Sequence, residues 1–75
     1  MFPLSTVNNG ATVEVLSIRG GHGLINRLAR MGIYPGVIVQ VLNNSRPGPV
    51  LIRLKETRIM LGFGMAHRIW VRSVG

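Results

Sequence analysis

Gly20-Gly21-His22-Gly23-Leu24-Ile25-Asn26-Arg27-Leu28-Ala29-Arg30-Met31-Gly32-Ile33-Tyr34-Pro35-Gly36 is the stretch of this 75-residue chain in which the apolar period turns helical. Leu24, Leu28 and Met31 fall at i, i+4 and i+7, Ile25 and Ala29 widen that stripe, and Asn26, Arg27 and Arg30 take the opposite face. The pattern predicts a short amphipathic helix that starts after Gly20-Gly21-His22-Gly23. Gly32 stands where a left-handed C′ residue ends a helix, and Arg30 lies near the negative end of the helix dipole. Tyr34-Pro35-Gly36 predicts a tight turn, because Pro presets φ at the second position and Gly supplies a positive φ at the third.

On both sides of this helix the chain reads as strands. Val13, Val15 and Leu16-Ser17-Ile18 precede it; Val37-Ile38-Val39, Val50-Leu51-Ile52, Ile59-Met60-Leu61 and Ile69-Trp70-Val71 follow, each short and bounded by turn chemistry or charge. Asn8-Asn9-Gly10 turns the chain into the first strand, and Asn43-Asn44-Ser45-Arg46-Pro47-Gly48-Pro49 reads as an exposed hairpin-like loop. Gly62-Phe63-Gly64-Met65-Ala66-His67-Arg68 is too glycine-rich for a strand interior and predicts a bend with a single helical or 3₁₀ turn. The sum is a mainly β chain: about five strands and one inserted helix, arranged as a small closed or nearly closed barrel. Closure removes the edges that invite aggregation in so short a chain.

Size and composition set the limits. A mass of 8.2 kDa corresponds to about 4,500 Å² of folded surface against roughly 11,900 Å² unfolded, enough for one modest core. No composition break or linker divides the chain, so residues 1–75 read as a single domain. Nine Lys and Arg against two Asp and Glu give a formal charge of +7, yet only 15% of residues are charged and 47% are hydrophobic. That balance argues for a folded domain with apolar side chains left for a partner or a second copy of the chain. The absence of cysteine excludes a disulfide framework, a thiolate metal site and a cysteine nucleophile. With no long apolar run and no basic start before an apolar segment, neither a membrane span nor a secretory signal is expected, and the cytoplasm is the expected location.

In order, these segments resemble the ferrous iron transport protein A (FeoA) family. The Arg27-Leu28 pair, Met31-Gly32-Ile33, Pro35-Gly36 and the Val-rich strand from Val37 to Leu42 match its central signature. Gly48-Pro49-Val50 with Ile52, then Ile59-Met60-Leu61, then Ala66 with Ile69 and Val71 continue it, and Leu4, Gly10, Val13, Val15 and Ile18 fit its opening. The resemblance covers about residues 4 to 72, and an ordered match of several parts is more specific than any single motif. It implies an SH3-like β-barrel with an inserted helix, and a non-enzymatic accessory protein of ferrous iron uptake. The implied partner is the cytoplasmic GTPase domain of the membrane iron transporter. Gly62-Phe63-Gly64 departs from the pattern, since relatives more often carry polar or basic residues there.

The matched positions are mostly turn and core residues, so the candidate sites come from chemistry. Arg27 and Arg30, with Arg19 before the helix, are candidates for docking an acidic surface, because a planar guanidinium pairs well with carboxylates. Phe63, Met65 and Trp70 are candidate apolar anchors, with Trp70 expected to be at least half buried. His22 and His67, with Glu14 or Glu56, are the weak candidates for a metal site; ferrous iron usually takes more His and carboxylate ligands than the chain holds, so no metal or cofactor is expected. Gly20-Gly21-His22-Gly23 could cradle an anion but lacks the Lys-Ser/Thr ending of a P-loop, and reads as a tight turn into the helix. A basic nucleic-acid-binding barrel is the alternative function. Against it, four aromatic residues do not alternate with the basic ones, so no stacking platform is expected. With two acidic residues and no Ser-His-carboxylate arrangement, no enzyme is proposed.

Overall fold

Alternation of apolar and polar residues decides most of the elements. The computed structural model describes residues 1–75, which run in the order β1 (Phe2–Pro3), a 3₁₀ turn (Leu4–Thr6), β2 (Thr12–Ile18), α1 (His22–Arg30), β3 (Ile38–Asn44), β4 (Val50–Leu54), β5 (Thr57–Leu61), α2 (Phe63–Ala66) and β6 (Ile69–Ser73). On β2 to β6 every second side chain turns inward: Val13 and Val15, Val39 and Val41, Val50 and Ile52, Leu61, and Ile69 and Val71 are all buried. Leu4, Val7, Leu28, Ile33 and Ala66 complete the core from outside the long strands.

All neighbouring strands are antiparallel and the sheet has the order β1-β6-β2-β3-β4-β5. Bulges between Val15 and Ser17 on β2 and between Val41 and Asn43 on β3 bend the sheet around the core. The molecule is nearly isotropic, 29 × 25 × 24 Å, and its accessible surface of 4364 Å² is close to the roughly 4,500 Å² expected for this mass.

Several details differ from the reading of the sequence. There are six strands, because Phe2 and Pro3 pair with Val71 and Trp70, and a two-residue strand leaves no periodic signal. The sheet stops short of closing: β1 and β5 are its two edges, and α2 carries the chain from β5 to β6 with Ala66 in the core. Asn43 and Asn44 belong to β3 and pair with Leu51 and Val50, which shortens the loop to residues 45–49, with a cis Arg46–Pro47 peptide. Asn44 stays in the strand because its side-chain amide donates to the carbonyls of Ser5 and Val7, both at 2.8 Å, and so ties the 3₁₀ turn to the barrel.

Helix α1 closes one end of the barrel. It begins two residues earlier than its apolar stripe suggests, with Gly21 as N-cap and His22 as its first residue. Leu28 is its fully buried anchor, Leu24 and Met31 pack partly against the core, and Ala29 is exposed rather than part of the stripe. Its C-terminus is a Schellman motif: Gly32 has φ +90°, its N–H donates to Ala29 and the N–H of Ile33 donates to Leu28, both at 2.9 Å. At the turn that follows, Gly36 has φ +99° and Val37 N–H donates to the Tyr34 carbonyl at 3.2 Å.

Candidate functional site

The exit from α1 and the β4–β5 hairpin face each other across an open groove of about 460 Å³. Gly32, Tyr34, Gly36, Val37 and Ile38 line one wall; Leu54, Lys55 and Thr57 line the other. The walls approach closely at Gly32, where a Cβ would lie 2.8 Å from Leu54 Cδ2. Tyr34 is 51% exposed and Ile38 48%, so both large apolar side chains stand in solvent rather than in the core. Arg27 and Arg30 occupy the last turn of α1, are exposed, and have no carboxylate partner. Gly32, the first lining residue of the groove, follows Arg30 by two positions, so exposed apolar side chains and unneutralised guanidinium groups stand on either side of the end of α1.

Most of the other candidate residues fall into two small contact groups, Arg19 with Trp70 and Phe63 with His67. Arg19 and Arg68 are joined by a backbone hydrogen bond of 2.7 Å, which brings the loop before α1 against the turn after α2. Trp70 is partly buried, and the Arg19 guanidinium lies 3.8 Å from its ring centroid. Phe63 is 37% exposed and stacks on His67 with centroids 5.6 Å apart, while Met65 packs partly against the core. His67 Nδ1 lies 2.9 Å from Ser5 Oγ in a hydrogen bond, and Ser5 is the one buried polar residue. Ser5 Oγ is the one side-chain hydrogen-bond partner of the His67 imidazole, and no carboxylate pairs with that ring.

His22 sits at the start of α1 and takes no part in these contacts. Nowhere do three or more His, Asp and Glu side chains converge on a point a metal could occupy. Glu14 is engaged by its cross-strand partner Arg72, whose Nε donates to its Oε1 at 2.7 Å. In the glycine-rich entry to α1, Gly20 has a steric reason, since a Cβ there would lie 2.7 Å from Leu24 Cδ2; Gly21 and Gly23 face open space. Phe63 and His67 form the molecule's one ring stack, Tyr34 belongs to the groove, and Phe2 packs on the core, so the aromatic rings do not line up as a platform.

The groove walls were not singled out by sequence reasoning. The signal was present: residues on either side of a two-residue Lys55-Glu56 turn must face each other, and the turn at Pro35-Gly36 must point Tyr34 outward beside them.

Residues 2–73 match the family model described as the FeoA domain. The chain belongs to the FeoA family. A Methanocaldococcus jannaschii protein named "Putative Fe(2+) transport protein A" is 39% identical over 73 residues, which cover 97% of this chain and 88% of that protein. The crystal structure of an iron uptake regulatory protein, FeoA, superposes with a TM-score of 0.87 at 37% identity, over 97% of this chain and 96% of that one. The barrel is accordingly of the expected SH3-like class. FeoA from Chlorobium tepidum, in solution, gives a TM-score of 0.87 at 23% identity over 99% of this chain and 71% of that one. A manganese-dependent transcriptional repressor gives 0.87 at 24% identity, with this chain covering 41% of it. These last two similarities speak to the fold alone.

Proposed function

We propose that this FeoA-family chain is a cytoplasmic, non-enzymatic accessory protein of ferrous iron transport that docks on the cytoplasmic GTPase domain of the membrane iron transporter. The observation that carries the reading is the family match over residues 2–73, together with 39% identity to a protein named for Fe(2+) transport. The surface supports it. Arg27 and Arg30 present unpaired guanidinium groups from a helix anchored by Leu28, and the groove beside that helix exposes Tyr34 and Ile38. Arginine and aromatic residues are the types that dominate protein interfaces. Phe63, Met65 and Trp70 are further candidates for contact, and the Trp70 ring already carries Arg19. No helix is long and apolar enough to cross a membrane.

The test is titration calorimetry of the intact chain against the isolated, purified GTPase domain, with and without GTP. The expected result is saturable binding that weakens as salt is raised, because charged contacts at a rim are screened. No detectable heat or complex at any nucleotide state would remove the GTPase domain as partner.

A further inference from the structure

The two edges of the sheet are not alike. Strand β1 is two residues long and includes Pro3, which has no N–H to offer, so that edge is already blunted. Strand β5 has five residues, no Pro and no Gly, and keeps an unbroken register with β4 from Val50↔Leu61 to Leu54↔Thr57. Its far side has no partner strand. A straight edge of this kind is a template for one more strand.

The outward side chains say what that strand should carry. Arg53 and Arg58 sit directly opposite each other on β4 and β5, both exposed. Like charges at facing positions destabilise a sheet. The sole ion pair of the molecule is Arg72 with Glu14, so neither arginine meets a carboxylate; Arg53 donates to Gln40 Oε1 at 2.6 Å and Arg58 has no side-chain partner. Lys55, in the turn, adds a third cation to the same hairpin. The neighbouring outward pair, Leu51 and Met60, is apolar, with Met60 59% exposed.

We infer that β5 is a docking edge for an extended, acidic peptide segment of a partner protein, which pairs with it as an added antiparallel or parallel strand. The backbone of β5 supplies hydrogen bonds, Arg58 and Lys55 meet acidic side chains of the segment, and Arg53, held toward β3 by Gln40, adds to the positive field on that face. Met60 covers an apolar residue beside them. A second copy of this chain is the poorer occupant, because it brings another Arg53 and Arg58 pair to the same face. The inference stands independently of the transporter reading, since it specifies the chemistry of the segment and not the protein that carries it.

Hydrogen exchange followed by NMR on the intact chain tests it, with three ten-residue synthetic peptides that alternate Val or Thr with Glu, with Gln or with Lys. The Glu peptide should slow exchange at amides of residues 57–61 by about tenfold or more. The Lys peptide should leave them unchanged. The double variant Arg53→Glu/Arg58→Glu should weaken the Glu peptide by about tenfold or more and gain affinity for the Lys peptide. Its folding is checked by the protection of β2 and β6, which the substitutions do not touch. No protection of β5 by the Glu peptide, or equal binding to the wild type and the double variant, overturns the inference. Shifts confined to side chains without amide protection reduce it to charge attraction and overturn the strand pairing. Protection of β5 that rises with protein concentration in the absence of peptide assigns the edge to self-association instead, and also overturns it.

Discussion

Gly32 and Gly23 are both glycines of α1 or its end, yet the backbone treats them oppositely. Gly32 sits at φ +90°, where a Cβ would also press on Leu54 Cδ2, whereas Gly23 lies in the first turn of the helix with nothing within 4 Å of its would-be Cβ. Ala at position 32 takes on left-handed strain and makes the Leu54 side chain shift, and should cost about 1–2 kcal/mol. Ala at position 23 removes helix-destabilising freedom and should gain about 0.5–1 kcal/mol. Urea denaturation of Gly32→Ala and Gly23→Ala measures both signs. Gly32 was legible in the sequence because it follows the last apolar position of a helical period. Lys55, which adopts φ 56°, was not, since a lysine gives no cue that it will take a conformation more often filled by Gly or Asn.

At the scale of elements, α1 and the 3₁₀ turn Leu4–Thr6 are held in different ways. The helix is held by packing. Leu28 is wholly buried at the barrel end, so Leu28→Ala should cost about 2–5 kcal/mol, with calorimetric unfolding as the measurement. The 3₁₀ turn is held by polar bonds from Asn44, and Asn44→Ala leaves the partly buried carbonyls of Ser5 and Val7 without donors. A loss of about 1–3 kcal/mol is expected, together with faster exchange at Val7 N–H, which donates to Leu4. The helix, its C-cap, the Pro35-Gly36 turn and most strand positions could be read from spacing alone, because each is local. Strand β1 and the inclusion of Asn44 in β3 could not. Phe2 and Pro3 become a strand only because β6 comes alongside, and Asn44 stays extended only because Ser5 and Val7 are within reach.

The whole molecule places its charge without neutralising it. One ion pair, Arg72 with Glu14, accounts for one of nine cations, and Glu56 engages none of the others. Arg27 and Arg30 sit on α1, Arg53, Lys55 and Arg58 on the β4–β5 hairpin, and the apolar groove lies between that hairpin and the segment that leaves α1. Composition predicted a basic domain with apolar surface to spare. It could not say that a groove would lie between the exit from the helix and the hairpin, because that depends on the sheet's curvature and on the close approach of Gly32 to Leu54. Docking through this surface should be steered by charge, so its association rate should fall steeply as ionic strength rises.

Docking on the transporter's GTPase domain through Arg27 and Arg30 is the central claim, and charge reversal tests it directly. The measurement is the affinity of the Arg27→Glu/Arg30→Glu chain for the isolated GTPase domain by titration calorimetry at near-physiological salt, with circular dichroism confirming that the fold is intact. The variant should bind at least about tenfold more weakly than the wild type, the scale expected when interfacial charge pairs become repulsive. Equal affinity of the folded variant and the wild type would contradict the account.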